Sequence, residues 1–319
     1  MAGPIERAKN LIQQIDEEHR FDFDAMRNGL MRMLWGYFLK LMIADRAAIF
    51  VNAVFDMPSH YEGVFVILAT VLFAVQIYSD LAGYTLIAKG AAEVMGYRLV
   101  DNFSAPYFAA SIREFWHRWH ISLSTWFRDY LYIPLGGSRK GKLCQYRNVI
   151  VVFLACGLWH GADVSYIVWG LLHSLYLILG DGIEYVFQGR TKQLPKWLRT
   201  LITFCLVDFA WIFFRADNLQ TACDMIVSVF TVHNWSILWD LSLYQPGLGK
   251  ADFLILLLSV LLLFFADFAS CKKIDLRQTI VAKRLWFRWL IYYAAILGML
   301  IFGIWGAENH SMVFLYFQF

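Results

Sequence analysis

Phe253–Ser270 reads FLILLLSVLLLFFADFAS. Its 18 residues hold one acid, Asp267, and no base. A helix that crosses a membrane needs about 20 mostly apolar residues, so this stretch reads as a span and lipid as the solvent. Trp286–Gly306 is a second such stretch, Glu62–Ser79 a third, and Leu198–Phe214 a shorter fourth. Leu30–Phe55 is long enough to cross, but Lys40, Asp45 and Arg46 interrupt it. The whole chain agrees with this reading. Of 319 residues, 59% are hydrophobic and 17% charged, and mean hydropathy is +0.51. Soluble domains sit near 45–50% and about 25%. So much apolar surface excludes intrinsic disorder. Five cysteines are too few, and odd in number, for a disulfide scaffold. A net charge of +3 leaves no nucleic-acid footprint. The expectation is an all-α polytopic membrane protein in contact with lipid, one transmembrane domain over residues 1–319.

Charge orients the spans, because basic loops stay cytoplasmic. Leu135–Arg147 carries Arg139, Lys140, Lys142 and Arg147 without an acid, and Gln188–Arg199 carries Arg190, Lys192, Lys196 and Arg199. Cys271–Arg288 sets six bases against Asp275 alone. Asp217–Asp252, with four Asp and only Lys250, reads as external, as does Asp56–Glu62. Val149–Gly180 lies between two cytoplasmic loops and so crosses an even number of times. Each arm of about 15 residues would reach roughly 23 Å at 1.5 Å per residue, short of a ~30 Å core. A re-entrant hairpin, or two helices in locally thin protein, is expected, with His160-Gly161-Ala162-Asp163 at its tip. Met1–Arg27 lacks a signal-peptide core and reads as a cytoplasmic surface helix.

Ser111–Gly137, SIREFWHRWHISLSTWFRDYLYIPLGG, fits none of these classes. Arg113, Glu114, Arg118, Arg128 and Asp129 make it uphill as an isolated span, at about 2.5–3.5 kcal/mol for each Arg or Asp at the bilayer centre. It must lie at an interface, line a cavity or be wrapped by other helices. On one continuous helix Arg113, His117, His120, Ser124 and Phe127 would share a face. That face is either an interfacial belt with snorkelling arginines or the wall of a catalytic groove. His160, in the middle of the hairpin, is either a hydrogen-bonded core histidine or a reacting group. His173, on the second arm, reads as structural. No zinc spacing, HExxH, P-loop or GxGxxG pattern is present, so no metal site is expected.

Arg113–Gly137 and Gly157–Gly161 (GLWHG) together resemble the membrane-bound O-acyltransferase family. The closer likeness is to its bacterial branch of alginate O-acetylation proteins and D-alanyl-lipoteichoic-acid transferases. AGPI (Ala2–Ile5), SDLAGYT (Ser79–Thr85), Met95–Phe103, WIFFRA (Trp211–Ala216) and the terminal LYFQF extend the likeness over the chain. Leu86 stands where this branch commonly has an acid, His117 where Arg is more frequent, and Asp163-Val164-Ser165 where Asn/Ser-Trp-Thr is usual. In the family AGPI follows several N-terminal membrane helices, so the chain is expected to lack more than a hundred residues. The length after His160 is similar to that of the alginate type. The fold implied is the family's helical bundle with re-entrant and interfacial helices, in the bacterial cytoplasmic membrane.

The resemblance implies acyl transfer, most simply of acetyl, from a cytoplasmic thioester toward an extracytoplasmic polysaccharide hydroxyl. His160 would be the general base. His120 would orient the acceptor or donate to the developing oxyanion. Arg113, Trp119, Ser124, Asp129, Trp159 and Gly161 would bind substrate, with Gly157 and Gly161 letting it approach the backbone. The donor would be acetyl-coenzyme A or an acyl-carrier thioester, a substrate rather than a bound cofactor. Arg139–Arg147 would either attract its phosphates or serve only as topogenic charge. A secreted or periplasmic acetyltransferase partner would complete the transfer. D-alanyl transfer to teichoic acid, a transporter and a non-catalytic scaffold are the alternatives.

Overall fold

The computed structural model describes residues 3–187 and 193–305. Ala2, Arg190, Lys192, Gly306, His310 and the terminal LYFQF lie outside the described residues. The chain is an all-α polytopic membrane protein, with no strand among the described residues. Its helices are α1 (Ala8–Ile15), α2 (Phe23–Phe38), α3 (Asp45–Asp56), α4 (Val64–Val94), α5 (Ile112–Arg118), α6 (Ile121–Phe127) and α7 (Lys142–His160). They continue with α8 (Val164–Val186), α9 (Lys196–Arg215), α10 (Leu219–Thr231), α11 (Lys250–Cys271), α12 (Leu276–Val281) and α13 (Leu285–Phe302). Among the described residues α4, α8, α9, α11 and α13 are long and apolar enough to cross a membrane. Four of them grow from the stretches expected as single spans, and α8 is the second arm of the hairpin.

The described residues form two compact units. The first comprises residues 3–52, 72–104 and 244–305. In it α2 continues into α3 through a π-helical turn, Leu39–Ala44, whose six residues are all buried. Lys40 Nζ lies 2.8 Å from Asp45 Oδ1 and 2.7 Å from Asp80 Oδ1 on α4. Arg46, 2% exposed, donates to the Met42 carbonyl at 3.0 Å, to Asp252 Oδ1 at 3.2 Å and to the Phe302 carbonyl. The three charges that interrupt Leu30–Phe55 are therefore absorbed inside protein, as a low-dielectric setting requires. α2 and α4 approach through paired glycines. A Cβ on Gly29 would stand 2.5 Å from the Gly90 carbonyl oxygen, and one on Gly36 2.7 Å from that of Gly83. Small residues at such crossings let backbones touch in a membrane, where apolar bulk alone gives no drive to associate.

The second unit, residues 53–71 and 105–243, holds α5–α10. At its centre α7 and α8 form an antiparallel hairpin whose tip is Gly161-Ala162-Asp163. The arms are longer than the apolar run allowed, at 19 and 23 residues, or roughly 28 and 34 Å. The difference has a simple cause. α7 draws its first turns from polar Lys142–Asn148, and α8 continues through Asp181 to Val186. A reading confined to apolar residues counts neither. Asp163 caps α8 by accepting from Ser165 N–H at 2.8 Å. The interhelical contact rests on glycine: a Cβ on Gly157 would lie 2.5 Å from the Tyr166 carbonyl oxygen, and one on Gly170 would run into that of Phe153.

Candidate active site

The continuous helix expected through Ser111–Gly137 is broken. α5 begins at Ser111, whose hydroxyl accepts from Glu114 N–H at 3.1 Å, and stops at Arg118 after seven residues. Glu114 accepts in turn from Ala110 N–H at 2.8 Å and from Arg118 at 2.7 Å. Burial would raise its pKa, but these bonds outweigh burial and hold the carboxyl below the usual carboxylate value. His120 then turns left-handed, with φ +42° and ψ +54°, and α6 starts afresh. A non-glycine residue held there costs on the order of 1–3 kcal/mol, and such strain clusters at functional sites. Here it throws the His120 ring, 4% exposed, away from the face that carries Arg113 and His117. Of the five residues expected on one stripe, Arg113, His117, Ser124 and Phe127 still line one cavity, and His120 leaves them.

His120 instead joins the side of the unit that carries His160. Trp119, the residue before His120, packs on Trp211, one of the rings in contact with those around His160. His160 ends α7 and is half-buried, with its ring 4.9 Å from Phe214, 5.4 Å from Trp169 and 4.8 Å from Trp159. Trp119, 3% exposed, lies 5.2 Å from Trp211, which is in turn stacked 6.1 Å from Trp169. Trp119, Trp169, Trp211 and Phe214 thus form one aromatic layer that runs from the neighbour of His120 in the chain to His160. Gly161 has a packing reason to lack a side chain, because a Cβ there would strike the Tyr166 ring. Trp159 is 40% exposed.

Arg113, Ser124 and Arg128 line a separate cavity of about 370 Å³ between α5–α6 and the hairpin. Arg113 pairs with Asp181 at 2.6 Å at its mouth, and Asp129 pairs with Arg128 at 2.9 Å beside it. Inward the wall turns apolar, through Trp116, Phe153 and Cys156. Trp116 and Phe153 also touch His173, at 5.0 and 6.0 Å between ring centroids, and His173 lies 5.0 Å from Trp169. A run of touching rings therefore links the cavity wall to His160. The expected substrate-binding residues divide into two groups: Arg113, Ser124 and Asp129 at the cavity, and Trp119, Trp159 and Gly161 with the histidines. Sequence reading passed over Trp169 and Phe214 as site residues. Their signal was present as Tyr166, Trp169, His173 and Tyr176 at every third or fourth position on α8 and as the aromatic cluster Phe209–Phe214 on α9, but it is indistinguishable from ordinary core. Among the described residues no three His, Cys, Asp or Glu side chains gather as a metal site would require.

A profile of the membrane-bound O-acyltransferase family matches residues 2–223, and the chain belongs to that family. It is 40% identical over 237 residues to a Pseudomonas fluorescens protein named "Probable alginate O-acetylase AlgI", covering 74% of this chain and 47% of that one. A Helicobacter pylori peptidoglycan O-acetyltransferase is 36% identical over 239 residues, 74% of this chain and 45% of that one. A Bacillus subtilis teichoic acid D-alanyltransferase is 29% identical over 231 residues, 67% of this chain and 57% of that one. The chain spans about half the length of the curated relatives it matches.

Proposed function

We propose that the protein is a membrane O-acyltransferase that moves an acetyl group from a cytoplasmic thioester toward a polysaccharide hydroxyl on the far side. The observation that carries this reading is the aromatic layer that joins Trp119, next to His120, to His160, with His160 at the tip of a hairpin whose other end is cytoplasmic by charge. In the reaction the acceptor oxygen bonds to the thioester carbonyl carbon and His160 takes the hydroxyl proton. The carbonyl π pair moves onto oxygen. When C=O re-forms, the C–S bond breaks and the thiolate leaves with the proton that His160 held. General-base assistance of this kind contributes typically about 10²–10⁴-fold. His120, fixed by a strained backbone, faces the same reacting group. The cavity at Arg113 is the donor's cytoplasmic approach, and a secreted transferase takes the acetyl group onward.

Acetyl is favoured over D-alanyl because relatives named as O-acetylating enzymes are 36–40% identical, against 29% for the D-alanyltransferase. The test is His160→Ala in the full-length protein, with O-acetyl on the envelope polymer as the readout. Loss of the ester with normal membrane abundance is expected. Wild-type acetylation would overturn the assignment.

A further inference from the structure

His173 reads as a core histidine from sequence, yet it is not a satisfied one. It is 0% exposed, inside a box of Phe115, Trp116, Phe153, Trp169 and Trp211. Trp116 Nε1–H donates to its Nδ1 at 3.3 Å. An indole nitrogen can only donate, so Nδ1 is an acceptor and the proton of the neutral ring sits on Nε2. That Nε2 is buried and has no hydrogen-bond partner. One helical turn earlier Trp169 is 1% exposed, and its Nε1–H also has no partner. Two orphaned donors therefore lie at i and i+4 on one face of α8, with their rings 5.0 Å apart. Leaving a buried donor unmet is costly; a Phe at 169 would avoid that cost, whereas a Phe at 173 would strand Trp116 Nε1–H instead.

The chemistry of the pair defines what answers it. A bridging water must also donate, and the rings around the pair offer few acceptors, the Tyr176 hydroxyl beside His173 and the His160 ring beside Trp169 among them. A carbonyl oxygen only accepts, and it has two lone pairs for two donors. Trp169 also touches His160, at 5.4 Å. We propose that His173 Nε2–H and Trp169 Nε1–H are catalytic donors to the acyl carbonyl oxygen, binding it in the thioester and holding its negative charge after the hydroxyl adds. This rests on the acyl-transfer reading of His160. It assigns the oxyanion to α8 and leaves His120 to the acceptor. The charge that forms as the acceptor oxygen bonds to carbon is held by two N–H groups that need no reorganisation. It returns to the C=O bond as the thiolate departs.

The experiment uses the full-length protein in membranes with radiolabelled acetyl-coenzyme A, comparing His173→Phe, Trp169→Phe, the double variant, His173→Gln and His160→Ala. Each Phe keeps an aromatic ring and removes the donor; His173→Phe also takes the acceptor from Trp116 Nε1–H and Trp169→Phe the bulk of one ring, so the effect is read on kcat of the folded protein. Each single Phe variant should lower kcat about 10²-fold, with the donor KM changed by less than about threefold. The double variant should lose less than the product of the two, because both donors serve one oxygen. His173→Gln, which restores an N–H, should recover about tenfold of the loss. Because Gln also restores an acceptor for Trp116 Nε1–H, abundance is measured alongside; a packing role predicts recovery of abundance with no gain in kcat per folded protein. If acetyl-coenzyme A supports no turnover in wild type, O-acetyl content of the envelope polymer is compared across the same variants. If His173→Phe fails to accumulate, Trp169→Phe decides alone. Wild-type kcat in Trp169→Phe, or a loss confined to KM, overturns the proposal. Loss in His160→Ala with both Phe variants unaffected sinks these donors alone, whereas wild-type rates in His160→Ala sink the acyl-transfer reading itself.

Discussion

Lys40 and Asp45 stand five residues apart, yet their charged groups meet at 2.8 Å. On an α-helix the fifth residue lies about 140° around the axis from the first and the two would point apart. The π-turn between them widens the helix and restores a common face, which it turns toward Asp80. Both side chains are nearly sealed from solvent, at 8% and 3% exposure. Removing one partner strands a charge: Lys40→Met should cost about 3–5 kcal/mol. The same lysine replaced together with Asp45→Asn and Asp80→Asn should recover most of that. Thermal unfolding of the purified protein reads both, and equal loss in the single and triple variants would show that packing, not charge, is at stake.

The glycine pairs between α2 and α4 make a steric prediction. Gly36→Leu must displace the Gly83 backbone, since even a Cβ would stand 2.7 Å from its carbonyl oxygen. Overpacking typically costs about 1–3 kcal/mol, and more is expected where backbone rather than side chain must yield. The unfolding midpoint should fall, while Gly182→Ala, inside α8 with no atom within 4 Å of the new carbon, should hold it or raise it slightly.

At His120 backbone and side chain can be separated. Asn tolerates the left-handed region, whereas a β-branched residue does not. His120→Asn should therefore fold with stability within about 1 kcal/mol of wild type and lose acetyl transfer. His120→Val should fail to accumulate in the membrane. A fully active His120→Asn would leave the strained turn without its chemical reason.

Arg113 is 56% exposed in its pair with Asp181, so Arg113→Ala should change stability by less than about 1 kcal/mol. Its effect should appear in donor binding. A charge-assisted hydrogen bond lost from a phosphate should raise the donor KM about tenfold or more, with kcat unchanged, and the difference should shrink at high salt. Initial rates at two ionic strengths check it.

What the sequence revealed and concealed follows from how each feature is encoded. Apolar length made α4, α9, α11 and α13 legible, because each is a long run in one local stretch. The hairpin was legible too, through the basic loops at both ends. Its arm length was not, since Lys142–Asn148 and Asp181–Val186 are helical by continuation rather than by apolar content. The break at His120 was hidden because the chain turns left-handed at a residue that is neither Gly nor Asn, where periodicity assumes one unbroken helix. The π-turn was hidden for the same reason, so Lys40 and Asp45 looked like interruptions of a span instead of partners. His160 and His120 stood out by motif. Nothing in the order of residues shows that His173, between Leu172 and Ser174, keeps an unanswered N–H.

Arg46 has a consequence for how the protein is made. Its carboxylate partner lies 206 residues further along the chain and its last carbonyl partner 256. At about 5–20 residues per second of synthesis, the guanidinium waits roughly 10–40 seconds for Asp252, and longer for the end of α13. Through that interval only the Met42 carbonyl, one turn away, answers it. The nascent α2–α3 segment therefore carries an unpaid cation while the seven helices α4–α10 emerge. It must linger at the lipid–water boundary or in the shelter of an insertase, and the C-terminal helices act as the latch that finally lets it settle.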